Sequence, residues 1–475
     1  MAAVQAEETA PDDQGYRVTR SVTVPFAGEG SGEGPLTWGQ LGTWRTIQKQ
    51  RCSLGVGDAS PLPAGTSLES VIIGFSFLIG RHQSLRTRVG FDAEGNARQV
   101  LSERGEMPLE IVDVNDDGDP AAVGAALRRR YHDTEFDYTS EWPIRMAVIR
   151  HRGALTHVVA LYCHLATDGF GVDAILGDLA NLDFRTGRAT APLKTQQPLE
   201  QAGWQAGPAG RRQSRAALRH WEQALRTVPA RRFPESTDRD EPRFRYVYYN
   251  TPATHLAAQR IAARTGTGTS PVLLAAFAVA LARVTGCNPV AAQLIVSNRF
   301  RPGMTNFVGT INQTGLCVVD LADATFDEAV RRAWRSSLSA YRNAYYDPFD
   351  LDTLSARIGE ERGEEVDVEL IFNDRRTEAQ REVADPLPTT DAVRAALPST
   401  TMRWAAQLER TGERFVFHVN GRPDTVDVWM CIDGRCLSRD DTEALLHGFE
   451  TAAVEAALDP GAVTGIELTP AGARQ

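Results

Sequence analysis

The chain has few of the features that mark secreted, membrane or nucleic-acid-binding proteins. Its six cysteines are scattered through 475 residues without a C-x-x-C pair, which argues against a zinc site and a disulfide framework. The longest apolar run, Pro271 to Ala282, is too short to cross a bilayer, and the acidic N-terminus is unlike a signal peptide. We therefore predict a reduced, cytoplasmic protein with no metal and no membrane contact.

Basic residues are outnumbered by acidic ones. The chain has 51 Lys and Arg against 61 Asp and Glu, a formal net charge of -10. Generic nucleic-acid binding needs a basic footprint, so we expect no nucleic-acid partner.

The length and the 42% hydrophobic content are sufficient for two cores. Helix and strand patterns alternate in both halves and predict an α/β fold with two sandwich lobes. The predicted divisions are a disordered N-terminus (1–15), an N-terminal lobe (16–187), an inter-lobe crossing (188–235) and a C-terminal lobe (236–470).

Local signals place several helix ends. A capping box at Thr66 predicts a helix that Gly80 ends, and Ser270 is predicted to cap a helix that ends at Gly286. The glycine-rich segment 28–34 is predicted to be a mobile loop.

The most informative stretch is His164-Leu165-Ala166-Thr167-Asp168-Gly169, which follows an apolar run typical of a buried strand. A histidine can take and return a proton near neutral pH. The aspartate can fix the loop, and the glycine lets backbone come close to a substrate. From these residues alone two interpretations stay open: a proton-transfer site, or a half-buried histidine at a strand end.

Five stretches in a fixed order resemble the condensation domains of nonribosomal peptide synthetases, which belong to the chloramphenicol-acetyltransferase-like superfamily. The stretch at His164 resembles their H-H-x-x-x-D-G core. The other four are 36–44 (the opening motif), 81–87 (R-H-x-x-L-R-T), 307–314 (G-x-x-x-N-T with one extra residue) and 345–349 (H-x-D-x-P-F without its histidine). The resemblance covers about 16 to 468, nearly the whole chain.

This resemblance implies two chloramphenicol-acetyltransferase-like α/β sandwich lobes in a V-shaped pseudo-dimer, with the active site in the tunnel between them. It implies a donor acyl group carried as a phosphopantetheine thioester on an acyl or peptidyl carrier protein, and a small-molecule amine or alcohol acceptor. The phosphopantetheine arm belongs to the carrier, so we expect no cofactor bound by this chain itself. Because the family domain accounts for the whole length, we expect a free-standing enzyme that acts on its carrier in trans.

The resemblance also implies roles for single residues. His164 is expected to be the catalytic general base or hydrogen-bond positioner, and the N–H of Gly169 is expected to be an oxyanion donor. Asp168 is expected to hold the loop through an arginine, for which we predict Arg86; the alternative for Arg86 is an ordinary surface arginine. Asn312, in the floor loop, is predicted to face the substrate tunnel or to form a turn.

Cys163 is the main departure from the family pattern, because the family usually has a first, structural histidine there. We expect Cys163 to be a small buried residue beside the active site. The alternative is a nucleophilic thiol, for which the sequence gives no sign of activation.

The predicted function is amide formation in nonribosomal peptide or related natural-product biosynthesis, such as that of antibiotics. The alternatives are ester formation with an alcohol, an acyltransferase that uses acyl-CoA, and a non-catalytic platform that recruits carrier proteins and tailoring enzymes. The departures at Cys163 and in the later motifs motivate the last alternative.

Overall fold

The computed structural model describes residues 16–50, 53–233, 236, 238–405 and 414–467, and these form two compact units. The first unit runs to Arg211 and includes Ser297–Asn312; the second contains Arg212–Val296 and the chain from Gln313 on. The predicted disordered segment 1–15 lies outside the described residues.

The division of the chain agrees with the predicted lobes at one boundary and differs for one segment. The boundary at Arg211 falls within the predicted crossing 188–235, which is mostly helical. Residues 297–312, which the prediction placed in the C-terminal lobe, group with the first unit because Arg299 and Thr310 bind the His164 loop there.

The first unit is built on a five-stranded sheet in the order β1-β6-β7-β8-β3, with a small sheet β2-β5-β4 and a two-stranded ribbon β9-β10. Its strands are β1 (Tyr16–Ala27), β2 (Gly32–Pro35), β3 (Gly55–Pro61), β4 (Thr87–Phe91), β5 (Ala97–Leu101), β6 (Arg104–Val114), β7 (Ile144–His151), β8 (Ala154–Cys163), β9 (Leu182–Asp183) and β10 (Arg188–Ala189). Its helices are α1 (Trp38–Gln50), α2 (Leu68–Arg81), α3 (Pro120–Asp133), α4 (Gly169–Asp178) and α5 (Pro198–Ala206).

Alternation along the strands divides the core of the first unit between the two faces of its main sheet. Met146 and Val148 of β7 pack with Phe75 and Leu78 of α2 on one face. Ala147 and Ile149 of β7 pack on the other face against Leu127 and Tyr131 of α3. The sheet is therefore covered by helices on both sides, and β8 delivers the His164 loop at its end.

The second unit is built on a seven-stranded mixed sheet in the order β13-β12-β14-β16-β17-β11-β15. Its strands are β11 (Phe244–Thr251), β12 (Val290–Val296), β13 (Gln313–Val319), β14 (Ile371–Asp374), β15 (Thr401–Trp404), β16 (Phe415–Arg422) and β17 (Thr425–Asp433). The helices are α6 (Pro208–Thr227), which begins in the first unit, α7 (Pro252–Thr265), α8 (Thr269–Thr285), α9 (Phe326–Arg342), α10 (Pro348–Arg362), α11 (Glu378–Arg381), α12 (Thr390–Ala396) and α13 (Arg439–Leu458).

Helix α8 is the centre of the second unit's core. It is apolar on all sides, and its residues from Pro271 to Ala282 are buried. A helix that is apolar all round must be buried, and α8 packs with α7, α9 and α13 against the sheet.

Three predicted helix ends differ from the structure. Gly80 does not end α2: a Cβ there would lie 2.4 Å from the carbonyl oxygen of Ala27, so close packing against β1 explains the glycine. The N-cap of α2 is Ser67, one residue after the predicted Thr66. Ser270 is not a cap but lies inside α8, where its hydroxyl donates to Asp374 over 2.6 Å.

No single helix in the described ranges is long and apolar enough to cross a membrane. Helices α7 and α8 reach the required length and hydropathy only as a pair, which is bent by 111°.

Candidate active site

His164 is the first residue after β8, and backbone contacts hold it at both ends. Its N–H donates to the carbonyl oxygen of Leu54 over 2.9 Å, and its carbonyl oxygen accepts a hydrogen bond from the Thr310 hydroxyl. The imidazole is half-buried, and its Nδ1 is buried without a hydrogen-bond partner among the described residues. The backbone of His164 is therefore held in place, and no carboxylate among the described residues is hydrogen-bonded to Nδ1.

Asp168 forms an ion pair with an arginine and caps helix α4. It is 3% exposed, and its carboxylate receives Arg299 Nη2 at 2.6 Å and Nη1 at 2.9 Å. The same carboxylate caps α4 by accepting from the N–H of Gly171 over 2.9 Å. Asp168 thus stabilises the loop, as the resemblance implies, and forms no acid–base pair with His164.

The prediction that Arg86 binds Asp168 is wrong. Arg86 is 1% exposed and donates to the carbonyl oxygens of Gly30, Ser102 and Glu29. Burial lowers the pKa of its guanidinium, and the three carbonyls compensate for the lost water. Arg86 therefore fixes the glycine-rich segment 28–34, which the sequence predicted to be mobile, and it is not a surface arginine either.

The first two residues of the same motif clamp α4. Arg81 Nε and His82 Nε2 lie 2.5 Å and 3.0 Å from the carboxylate of Asp178. Burial acts to raise the pKa of Asp178, but the contacts with His82, Arg81 and Asn181 lower it below its ordinary value. The motif therefore ties α2 to the end of the helix that Asp168 begins.

Gly169 is exposed at the first position of α4, and nothing lies within 4 Å of the place where a Cβ would stand. The N–H groups of a first helical turn have no partner within the helix and present a partial positive charge. The cap from Asp168 uses the N–H of Gly171, so the N–H of Gly169 is not spent on it.

Cys163 is buried behind the loop at the end of β8. Burial raises the pKa of its thiol to about 12, so the thiol stays protonated at neutral pH. The structure therefore favours the small buried residue over the nucleophile.

Asn312 ends the floor loop and directly precedes β13. The residue lies outside the turns of that loop, and its Oδ1 is buried without a hydrogen-bond partner in the described part of the chain. The turn-forming role belongs instead to Asn298, which has a left-handed φ of 57° and donates to the carbonyl oxygen of Ile311 over 3.0 Å.

The opening motif supports the loop from beneath. Gln40 is 4% exposed and donates to the carbonyl oxygen of Leu165 over 3.2 Å. Gly39 lets α1 approach the floor loop, because a Cβ there would lie 2.2 Å from the carbonyl oxygen of Thr310. Motifs that lie far apart in sequence thus meet at the His164 loop.

Sequence reasoning missed Arg299 and Thr310. Arg299 lies outside the five stretches, three residues after β12, and nothing in its neighbourhood marks it as buried. Thr310 lies inside the floor-loop motif, but its contact with His164 depends on tertiary structure.

Three comparisons connect this geometry to known proteins. Residues 67–395, well over half of the chain, match the family model described as Condensation domain. An isonitrile lipopeptide synthase from Mycobacterium tuberculosis is 30% identical over 334 residues, which is 65% of this chain and 13% of that protein. A phosphinothricin tripeptide synthetase from Streptomyces viridochromogenes is 26% identical over 307 residues, 61% of this chain and 28% of that protein.

Solved structures show the same fold at low identity. The X-domain from teicoplanin biosynthesis superposes with a TM-score of 0.68 at 18% identity, covering 94% of this chain and 99% of that one. The first condensation domain of the calcium-dependent antibiotic synthetase has a TM-score of 0.64 at 16% identity, covering 92% and 98%. The predicted α/β condensation-type fold is confirmed, while the V arrangement and the tunnel stay predictions.

Proposed function

This chain belongs to the condensation domain family, and from that premise we propose that it forms an amide by transferring an acyl or aminoacyl group from a carrier-protein thioester to an amine. Its matched relatives are synthetases of natural products. The chain spans less than a third of each, so their whole activities are not carried over. The observation that carries the proposal is the half-buried His164 on a loop fixed by Asp168 and Arg299.

In the proposed reaction the amine nitrogen attacks the thioester carbonyl carbon. A C–N bond forms, the C–S bond breaks, and the phosphopantetheine thiolate leaves. His164 takes the proton that the nitrogen loses and returns it to the departing sulfur, so the products are an amide and a free thiol. A positioned histidine contributes about 100- to 10,000-fold to such a proton transfer.

The loop supplies rigidity to this step. The floor loop grips the carbonyl of His164 through Thr310, and Arg299 neutralises the carboxylate of Asp168. A neutralised Asp168 does not repel the negative charge that develops on the carbonyl oxygen of the substrate. We propose the N–H of Gly169, at the positive end of α4, as a donor to that oxygen.

The proposal is tested by incubating the protein with an acyl-loaded carrier protein supplied in trans and a panel of amines, with product detected by mass spectrometry. Matched arms replace the amine with an alcohol and the loaded carrier with acyl-CoA. Amide formation that requires the carrier supports the proposal. Product only with an alcohol, or equal product from acyl-CoA, replaces it with one of the two alternatives.

A second candidate function is a non-catalytic platform for carrier proteins and tailoring enzymes. Cys163 in place of the family's first histidine favours it, as does the likeness to an X-domain whose structure is described as a complex with OxyB from teicoplanin biosynthesis. Tight binding of a loaded carrier without turnover for any acceptor supports the platform, and turnover by the protein alone excludes it.

A further inference from the structure

A small cavity lies in the first unit, behind the loop that carries His164. Its volume of about 30 Å³ holds roughly two water molecules. The wall is formed by residues from three of the sequence motifs, from β4 and β5, from the segment before β7 and from the end of β8. They are Leu36, Gln40, Ser84, Thr87, Arg88, Val89, Gln99, Phe136, Tyr138, Glu141, Pro143, Cys163, Leu165 and Ala166.

Most polar groups in this wall already have partners. The amide of Gln40 binds Thr37, Gln99 and Leu165. Gln99 donates to the carbonyl oxygen of Pro35 over 2.8 Å.

The hydroxyl groups of Tyr138 and Thr87 in the wall also have partners. The Tyr138 hydroxyl lies 2.9 Å from that of Ser53, and the Thr87 hydroxyl donates to the carbonyl oxygen of Gln83 over 2.7 Å.

The negative charge in the wall is neutralised. Glu141 receives Arg145 Nε at 2.7 Å and Nη2 at 3.0 Å, which makes a paired, net-neutral unit. Cys163 is a protonated thiol. Asp137, whose charge acts on Arg88 from outside the cavity wall, is bonded to Thr139 and Ser140.

Two polar groups in the wall have no hydrogen-bond partner among the described residues. Ser84 is 1% exposed, and its hydroxyl has no hydrogen-bond partner in the described ranges. The guanidinium of Arg88 makes no hydrogen bond or ion pair with a described side chain, and its Nε is buried. The central carbon of the guanidinium, Cζ, lies 3.5 Å from the ring centroid of Trp142. Arginine stays charged in proteins. A half-buried cation with a buried Nε and a buried hydroxyl donor therefore line this cavity, and the one carboxylate in the wall, Glu141, is already paired with Arg145.

We propose that the cavity is a binding site for one small monovalent anion, a halide or a carboxylate of formate size, held by Arg88 and Ser84. The guanidinium supplies the charge and N–H donors, and the hydroxyl supplies a further donor. The volume excludes larger anions. Because Cys163, Leu165 and Ala166 form part of the wall, an anion there stabilises the loop that positions His164. This inference does not rest on the proposed reaction.

The test is the melting temperature of the full chain at constant ionic strength as sodium gluconate, whose anion is too large for the cavity, is exchanged for sodium chloride, bromide or formate. The wild-type protein is expected to gain about 2–4 °C in a saturable way. Halide and formate arms separate the two sources of the anion.

Variants assign the effect to the site. R88Q and S84A are each expected to lose the saturable rise, and R129Q, which removes an exposed arginine of α3, is expected to keep it. The proposal is overturned if R88Q or S84A responds like wild type, or if wild type responds no differently to formate or halide than to gluconate. A crystal grown with bromide gives an independent readout: anomalous density between Arg88 and Ser84 supports the site, and water alone there contradicts it.

Discussion

Asp168 and Arg299 lie 131 positions apart in the chain and are joined by two charged contacts of 2.6 Å and 2.9 Å inside the first unit. The pair fastens the start of α4 to the segment that leads into the floor loop. The contact also ties up the carboxylate of Asp168, so in the proposed reaction the loop uses His164 for proton transfer and Asp168 for rigidity.

Breaking this ion pair is expected to destabilise the folded protein strongly. R299M or D168N leaves an uncompensated buried group and should lower the free energy of unfolding by about 3–5 kcal/mol. The double variant removes both charges and should be more stable than the sum of the single losses predicts. Urea unfolding of the four proteins measures the coupling, and strictly additive losses would contradict a direct pair.

Two glycines of α1 should respond in opposite directions to alanine. G39A places a methyl group 2.2 Å from the carbonyl oxygen of Thr310 and must displace the floor loop, whereas nothing lies within 4 Å of a Cβ at Gly42. G39A should lower both stability and turnover, and G42A should raise stability by about 0.5–1 kcal/mol through helix propensity. Equal effects of the two variants would rule out close packing as the reason for Gly39.

Cys163 should be chemically silent in the folded protein. Its thiol is buried and protonated, so iodoacetamide should label it only after unfolding, and C163A should retain most of the turnover. Peptide mapping by mass spectrometry follows the labelling. Rapid labelling of Cys163 in the native protein, together with loss of turnover in C163A, would instead support a nucleophilic role for this thiol.

His418, on β16 in the second unit, should make stability depend on pH. Its ring is 5% exposed, stacks on Trp429 and accepts from Arg375 Nη2 at 2.9 Å. Burial and Arg375 lower its pKa to about 3. The unfolded state therefore binds the proton first as the pH falls below the ordinary value of 6.5, and the folded state loses stability from there down to about pH 3.

The expected loss between pH 7 and pH 5 is about 2 kcal/mol for this histidine. Urea unfolding of wild type and H418N at both pH values measures it, with the exposed His132 changed to Asn as the matched control. H132N should keep the wild-type pH difference and H418N should reduce it. The same pH difference in all three proteins would show that His418 does not titrate in this way.

Strong local patterns allowed much of the fold to be predicted. The apolar run 158–163 lies within β8, and Gly286 closes α8 in a left-handed conformation. The positions that failed are set by tertiary contacts. Gly80 is a residue type that often ends helices, but here it is a glycine because β1 packs too closely for a Cβ. Ser270 is a residue type that often caps helices, but here its hydroxyl binds Asp374.

The site was predicted where its chemistry is local and missed where it is not. The resemblance implies that an arginine binds Asp168, and the motif at 81–87 contains Arg86, which was therefore predicted as the partner. Arg86 is in fact held by backbone carbonyls, while Arg299 reaches Asp168 from 131 positions away. A lone arginine after a strand carries no sequence signal of burial, so this contact needed the three-dimensional structure.

We propose that His164 moves the proton and that Asp168 with Arg299 only holds the loop. The most direct measurement is the single-turnover rate of amide formation by H164A and wild type, with saturating loaded carrier and amine and with unfolding midpoints recorded in parallel. We expect a rate lower by about 100- to 10,000-fold in H164A, with an unfolding midpoint close to that of wild type. An H164A rate equal to that of wild type would contradict it.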